Sequence, residues 1–211
     1  MRTRPDLAFA VATVAKFGSH PGHVHWSAVT RILRYLQGTL ELGISYSRTS
    51  TSELVGFLDS DWAGDPEDRK STSSYVFMLA GGPISWKNQK QKSVALSTAV
   101  AEYMAPLSTA QEALWLRNVL LDMGVNVNSP TTIFEDNLAS IGLAKNPQYH
   151  GRAKHISIRY HFRREQVQLG TIVIKYCKTE DMVADMLTKA AARPKLQKLN
   201  RLCNVGVRSI E

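Results

Sequence analysis

Between residues 5 and 38, apolar positions recur at helical spacing: Leu7, Ala10, Val11 and Val14 share one face, and Trp26, Val29, Leu33 and Leu36 share another beyond a break at Gly18-Ser19-His20-Pro21-Gly22. This period predicts two helices, each with an apolar stripe that needs something to pack on. Past Gly38 and Gly43 the pattern becomes extended, with ISYS at 44–47, LVGFLD at 54–59, SYVFML at 74–79 and PISWKN at 83–88. Gly81-Gly82 between the last two segments is a hairpin signal, so this stretch predicts an antiparallel meander.

From Ser97 a helical pattern runs to about Met123, with Met104, Leu107, Leu114 and Leu121 on one side and Gly124 as the stop. Pro106 lies inside it; an interior proline loses a hydrogen bond and clashes with the preceding turn at ~3 kcal/mol, which predicts a kink or a shifted helix start. A strand at TTIFED (131–136), a short helix at 137–145, a basic helix at 153–169, a strand at TIVIKY (171–176) and a helix from Glu180 to about Lys189 follow. Strands first, then alternating helix and strand, predict an α/β domain with a mixed sheet. The remainder, past Ala191, reads as a basic, weakly patterned tail.

Charge adds a partner class to this picture. Lys and Arg number 26 against 18 Asp and Glu, a formal charge of +8, and the basic residues gather at 87–92, 152–164 and 189–201. Such clustering suits a polyanion. The two cysteines, Cys177 and Cys203, are too few for a disulfide framework or a thiolate metal site, which fits an intracellular, reducing setting. The chain has no apolar run of the ~18 residues a membrane helix needs, and its opening MRTRPD lacks a signal core, so neither secretion nor membrane insertion is expected.

Four acidic residues occupy separate, motif-like settings: Asp59 in GFLDSDWAGD, Glu102 in TAVAEYMA, Asp136 in TIFEDNLAS and Asp185 in EDMVADMLTK. Singly, an Asp at a strand end is ordinarily a turn or cap residue. As a set they differ, because Asp59 and Asp136 end apolar strands while Glu102 and Asp185 lie on helices, and such ends converge at one edge of an α/β sheet. Carboxylates drawn together repel unless a divalent cation sits between them, which points to metal-dependent phosphodiester chemistry.

The words around these residues carry a resemblance. RPDLAFAV (4–11), HWSAVTRILRYLQGT (25–39), DSDWAGDPEDRKSTSSYVF (59–77), ISWKNQKQ (84–91), EYMA (102–105), EALWLR (112–117), DNLASIGLAKNP (136–147), KHISIRYHFRRE (154–165) and ADMLTK (184–189) occur in order nearly end to end. Together they resemble the ribonuclease H region of copia-type long-terminal-repeat retrotransposon Pol polyproteins.

The resemblance implies a ribonuclease H-like α/β fold, with a central mixed five-stranded sheet flanked by helices and an N-terminal helical appendage. Residues 1–48 would correspond to the tail of the preceding reverse transcriptase, 49–190 to the ribonuclease H-like domain and 191–211 to the basic tail. It implies cleavage of the RNA strand of RNA–DNA hybrids, alongside the reverse transcriptase portion of the polyprotein, in a cytoplasmic virus-like particle or the nucleus. Asp59, Glu102, Asp136 and Asp185 take the metal-binding and catalytic positions, with Asp61 the alternative to Asp59. Two Mg²⁺ ions would be held, Mn²⁺ being a possible substitute: one activates the attacking water and the other stabilises the leaving 3′ oxygen, with the ions ~3.5–4 Å apart. Asp59 and Asp136 are candidate shared ligands, Asp185 serves the water-activating ion, and Glu102 serves the other ion and a ribose 2′-hydroxyl.

Grip on the nucleic-acid backbone is assigned to Lys87, Lys90 and Lys92, to Arg152, Lys154, Arg159, Arg163 and Arg164 on the basic helix, and to Asn137, for which an N-cap role is the competing reading. His155 and His161 are six apart and off one helical face; they and His150 read as packing or phosphate-contact residues.

The chain departs from the family pattern in three places. Where the family reads Ser-Ser-Thr-Glu-Ala-Glu-Tyr, this chain has Val100 in place of the first glutamate, which costs a capping-box partner worth about 1 kcal/mol or less while keeping Glu102. Pro106 lies within two turns of that glutamate, and no Tyr-x-Asp-Asp polymerase motif is present. The alternative reading is therefore a truncated or decayed fragment that keeps the fold and binds nucleic acid without catalysis.

Overall fold

A computed structural model describes residues 3–50, 53–61, 72–90, 98–145, 162 and 165–207, with the side chains of 60, 61, 90, 98–106, 139 and 143–145 outside the description. Its centre is a sheet built from the apolar runs of the sequence: β2 (Val55–Asp61), β3 (Thr72–Leu79), β4 (Gly82–Lys90), β5 (Thr131–Glu135) and β6 (Ile172–Tyr176). These five strands lie in the order β4-β3-β2-β5-β6. The first three form the antiparallel meander, and β2–β5 and β5–β6 are parallel. This is the mixed five-stranded sheet of the ribonuclease H-like fold.

The hairpin turn falls at Ala80-Gly81, with φ of 52° and 80°, one residue earlier than the Gly81-Gly82 signal suggested. Gly82 opens β4 instead, where an added Cβ would meet the Ser45 carbonyl at 2.8 Å.

Both sheet faces are covered, so β3 is buried along nearly its whole length. On one face Leu58, Tyr75 and Phe77 pack against Ala110, Ala113, Leu116 and Leu120 of α3 (Thr98–Asp122). On the other, Val76 and Met78 meet Met182, Val183, Ala184, Met186 and Leu187. That period-two alternation lets one strand serve two cores. The helix assignment of α3 runs unbroken from Thr98 through Pro106, so its start is not displaced past the proline.

Among the described residues, further helices flank the sheet or extend the second core: α4 (Leu138–Lys145), α5 (described at 165–168), α6 (Asp185–Thr188) and α7 (Arg193–Leu202). Two expectations change here. The helix anticipated from Glu180 to Lys189 is a 3₁₀ turn at Thr179–Asp181 followed by the single turn α6. Met182, Val183 and Ala184 are all buried in succession, which a surface helix with one inward stripe does not allow. The tail past Ala191 carries α7 and β7 (Val205–Val207), with Leu199, Cys203 and Val205 in the second core. Cys177 and Cys203 are both free thiols.

The N-terminal segment packs back onto this second core. β1 (Leu42–Ile44) pairs antiparallel with β7, and Ala8 of α1 (Ala8–Ala15) and Ile44 pack against the cluster. Buried Asp6 accepts hydrogen bonds from Arg4 at 2.8 and 2.9 Å and from Tyr35 Oη at 2.9 Å, which ties the chain start to α2 (His23–Gln37). The stripe expected to face inward on α2 is turned: His25, Val29, Ile32, Tyr35 and Leu36 are half-buried, whereas Trp26 and Leu33 are exposed. No helix among the described residues is long and apolar enough to cross a membrane.

Candidate metal centre

Asp59, Asp136 and Asp185 converge: each offers a carboxylate oxygen within 4.8 Å of the others. The parallel ladder between β2 and β5 explains the first two. Leu58 is registered with Glu135, so the next residue of each chain, Asp59 and Asp136, emerges at the same end of neighbouring strands. Asp59 does not end β2, as the sequence suggested, because the strand continues to Asp61. The side chain of Asp61 lies outside the described residues.

Asp185 arrives from the other direction, as the first residue of α6, and one row of the sheet positions it. Asp59, Ser74 and Asn88 are in register across β2, β3 and β4, and each side chain bonds α6. Ser74 Oγ donates to the Ala184 carbonyl at 3.0 Å, Asn88 Nδ2 donates to the Leu187 carbonyl, and Thr188 Oγ1 donates to Asp59 Oδ2. Asp136 is held by Thr179 Oγ1, which donates at 2.9 Å from the preceding 3₁₀ turn.

Burial makes this cluster electrostatically costly. Asp59 is 3 % exposed and Asp185 1 %, while Asp136 is half-buried. Desolvation pushes the Asp59 carboxyl up to about 7, with Asp185 and Asp136 adding to the rise and Lys189 and Thr188 opposing it. Two ammonium groups offset the charge. Lys189 Nζ stands 3.5 Å from Asp59 Oδ2 and 3.2 Å from Asp185 Oδ1, and Lys195 Nζ pairs with Asp185 Oδ2. Burial lowers the Lys189 ammonium, but Asp59 and Asp185 together outweigh it and hold the group above its ordinary value.

Three hard oxygen donors from separate elements, poorly hydrated and mutually repelling, are the donor set a small divalent cation requires. The residues present therefore fit a divalent-cation site. Glu102 lies in the first turns of α3, but its side chain is outside the described residues.

Among the basic residues, Lys87 is exposed on β4, next to the Asn88 that anchors α6. Lys90 lies at the end of β4 with its side chain undescribed, and Lys92, Arg152, Lys154, Arg159, Arg163 and Arg164 fall outside the described residues, as do His150, His155 and His161. Asn137 takes the capping geometry: its Oδ1 accepts the Ser140 backbone N–H at 3.2 Å at the start of α4.

Lys189 and Lys195 were not among the expected site residues. Lys189 had a legible signal, standing four residues after Asp185, the spacing that lets an acid and a base meet on one helical face. Lys195 had none, since it reaches the site only through the packing of α7.

Sheet order, flanking helices and the convergence of Asp59 and Asp136 from adjacent parallel strands with Asp185 of α6 define a ribonuclease H-like fold. The chain is 40% identical over 205 residues to the retrovirus-related Pol polyprotein from transposon RE2 of Arabidopsis thaliana, and 42% identical over 207 residues to that from transposon TNT 1-94 of Nicotiana tabacum. Over nearly its whole length it is a relative of these transposon Pol polyproteins. The matches cover 97% and 98% of this chain but 14% and 15% of those relatives, so it spans about one seventh of their length. A foamy viral protease-reverse transcriptase, solved in complex with dsDNA, shares the fold at a TM-score of 0.51 and 17% identity, over 84% of this chain and 35% of that one. No family model matches the chain.

Proposed function

We propose that this chain is the ribonuclease H unit of a copia-type retrotransposon, a metal-dependent endonuclease that cleaves the RNA strand of RNA–DNA hybrids. The observation that carries this reading is the convergence of Asp59, Asp136 and Asp185 from three separate elements to within 4.8 Å. These three, with Glu102 from α3, would hold two divalent ions, Mg²⁺ or in its place Mn²⁺. Bound there, the ions would supply an activated water and stabilise charge on the leaving 3′ oxygen.

The chain's own part is positional. The stiff β2–β5 ladder fixes Asp59 beside Asp136, and the Ser74, Asn88 and Thr188 bonds fix Asp185 opposite them. Near-complete burial of Asp59 and Asp185 keeps water from competing for their oxygens, which strengthens every charge interaction at the site. Lys87, Lys90, Lys92, Arg152, Lys154, Arg159, Arg163 and Arg164 would grip backbone phosphates without reading sequence, in keeping with the formal charge of +8. The reverse transcriptase portion of such a polyprotein would deliver the hybrid.

The test is incubation of the purified chain with a labelled RNA–DNA hybrid and with single-stranded RNA, in Mg²⁺ or EDTA, beside Asp136→Asn. Cutting of the hybrid alone, abolished by EDTA and by the substitution, is expected. Cutting that survives either treatment overturns the metal mechanism, and tight, salt-sensitive binding without cutting would establish the noncatalytic alternative.

A further inference from the structure

Lys189 makes an arrangement that a simple metal site does not need. Its ammonium bridges two of the three clustered acids, 3.5 Å from Asp59 and 3.2 Å from Asp185, while Lys195 pairs with the second oxygen of Asp185. Both oxygens of Asp185 and Oδ2 of Asp59 are thereby engaged by cations or by the Thr188 hydroxyl. The two carboxylates are almost wholly buried, whereas the Lys189 side chain is 41% exposed at the end of α6 and so has open space to leave into.

We infer that Lys189 is a resident counter-cation: it stabilises the acidic centre when no divalent ion is bound and competes with that ion for Asp59 and Asp185, swinging out as the ion enters. The inference rests on the reading of these carboxylates as metal ligands. Coulomb repulsion supplies the argument. A dication on the same oxygens would stand within a few ångströms of the ammonium, and like charges at that range in a poorly hydrated site repel strongly. Counting Glu102 with the three clustered acids, four carboxylates and two ammonium groups carry a net charge near −2, and two divalent ions added to that set would leave it positive. Departure of a lysine lowers that positive excess by one charge, and Lys189, which touches both acids, obstructs the ion most directly.

The deciding experiment is calorimetric titration of the full chain with Mn²⁺, comparing the unaltered protein with Lys189→Met and Lys189→Arg. Removing the charge while keeping the bulk is expected to tighten Mn²⁺ binding at least about fivefold and to lower the melting temperature in EDTA, with Mn²⁺ restoring it. Arg, which keeps the charge, is expected to leave affinity within about twofold of the original. Equal or weaker binding by Lys189→Met overturns the inference while leaving the metal site intact. Absence of Mn²⁺ binding in all three proteins overturns the metal site itself, and this inference with it.

A second measurement needs no substitution and so survives a variant that fails to fold. A pulse of acetic anhydride read by mass spectrometry is expected to acetylate Lys189 at least about threefold faster in saturating Mn²⁺ than in EDTA, against exposed Lys87 as the internal reference. Equal rates would show that Lys189 does not leave.

Discussion

Ser74 and Asn88 stand opposite one another across the β3–β4 ladder, and both reach over to donate to carbonyls of the Ala184–Leu187 stretch that carries Asp185. Ser74 is 1% exposed, and its bond to the Ala184 carbonyl at 3.0 Å is fully buried. Ser74→Ala removes one of two donors to that carbonyl, which keeps the Leu187 N–H at 2.9 Å, at about 0.5–1.5 kcal/mol of stability. Urea unfolding should show the loss, and Mn²⁺ affinity should fall with it because Asp185 is no longer fixed. Unchanged affinity would mean that α6 is held without this row.

Stability should depend on pH through Asp59. Burial raises its carboxyl from 3.8 to about 7, so the folded chain binds this proton more tightly than the unfolded one. The resulting stabilisation is complete below about pH 3.8 and disappears as pH rises through about 7. In EDTA, the urea midpoint should therefore decline across this window, and Asp59→Asn should flatten the slope. Mn²⁺ affinity should move oppositely, tightening as pH rises through about 7, since the ion displaces the proton. An undiminished slope in Asp59→Asn would assign the dependence elsewhere.

Gly56 should tolerate no side chain. A Cβ there would lie 2.8 Å from Cε1 of Phe77, a ring with no exposed surface, so the ring cannot yield without repacking the α3 core. Gly56→Ala is expected to destabilise by about 1–3 kcal/mol in a denaturant melt. A smaller loss would show that the Phe77 ring can shift.

The bond network at the chain start predicts that the first residues are structural. Arg4 pairs with Asp6, whose side chain has no exposed surface, and Arg4 also donates to the Thr39 carbonyl at 3.1 Å. Arg4→Met leaves a buried carboxylate that keeps the Tyr35 hydroxyl but loses its cation, and should cost about 3 kcal/mol, with Asp6→Asn in the same background recovering part of it. Equal stability of Arg4→Met and the unaltered chain would place Asp6 in contact with water.

Trp26 and Leu33, 66% and 56% exposed on α2, form an apolar patch open to solvent. Replacing both by Ser should reduce concentration-dependent association in sedimentation velocity without lowering the melting temperature. A lowered melting temperature would instead assign the pair to the fold's own packing.

The five central strands were legible because each is a short apolar or alternating run bounded by turn residues, and Asp59, Asp136 and Asp185 were legible from the words around them. What escaped depended on partners distant in sequence. Met182-Val183-Ala184 looks helical in isolation, yet all three are buried among β3, α7 and β7, which favours an irregular path over a one-sided helix. Helix α7 went unseen because Leu196, Leu199 and Cys203 are a sparse stripe among basic and polar residues. On α2 the face of Trp26, Val29, Leu33 and Leu36 is only half inward, Val29 and Leu36 being half-buried and Trp26 and Leu33 exposed, while Tyr35 turns in to bond Asp6. Lys195 at the acidic centre follows from tertiary packing that no local period encodes.

Asp59 belongs to a strand hydrogen-bonded on both flanks, whereas Asp185 belongs to a four-residue helix held by side-chain bonds. As a gauge of ionic radius, the gap between them has one rigid reference face and one compliant face. If the proposed ions bind there, discrimination between Mg²⁺ and a larger ion such as Ca²⁺, which accepts looser coordination, would depend on how far the Ser74, Asn88 and Thr188 anchors let Asp185 yield.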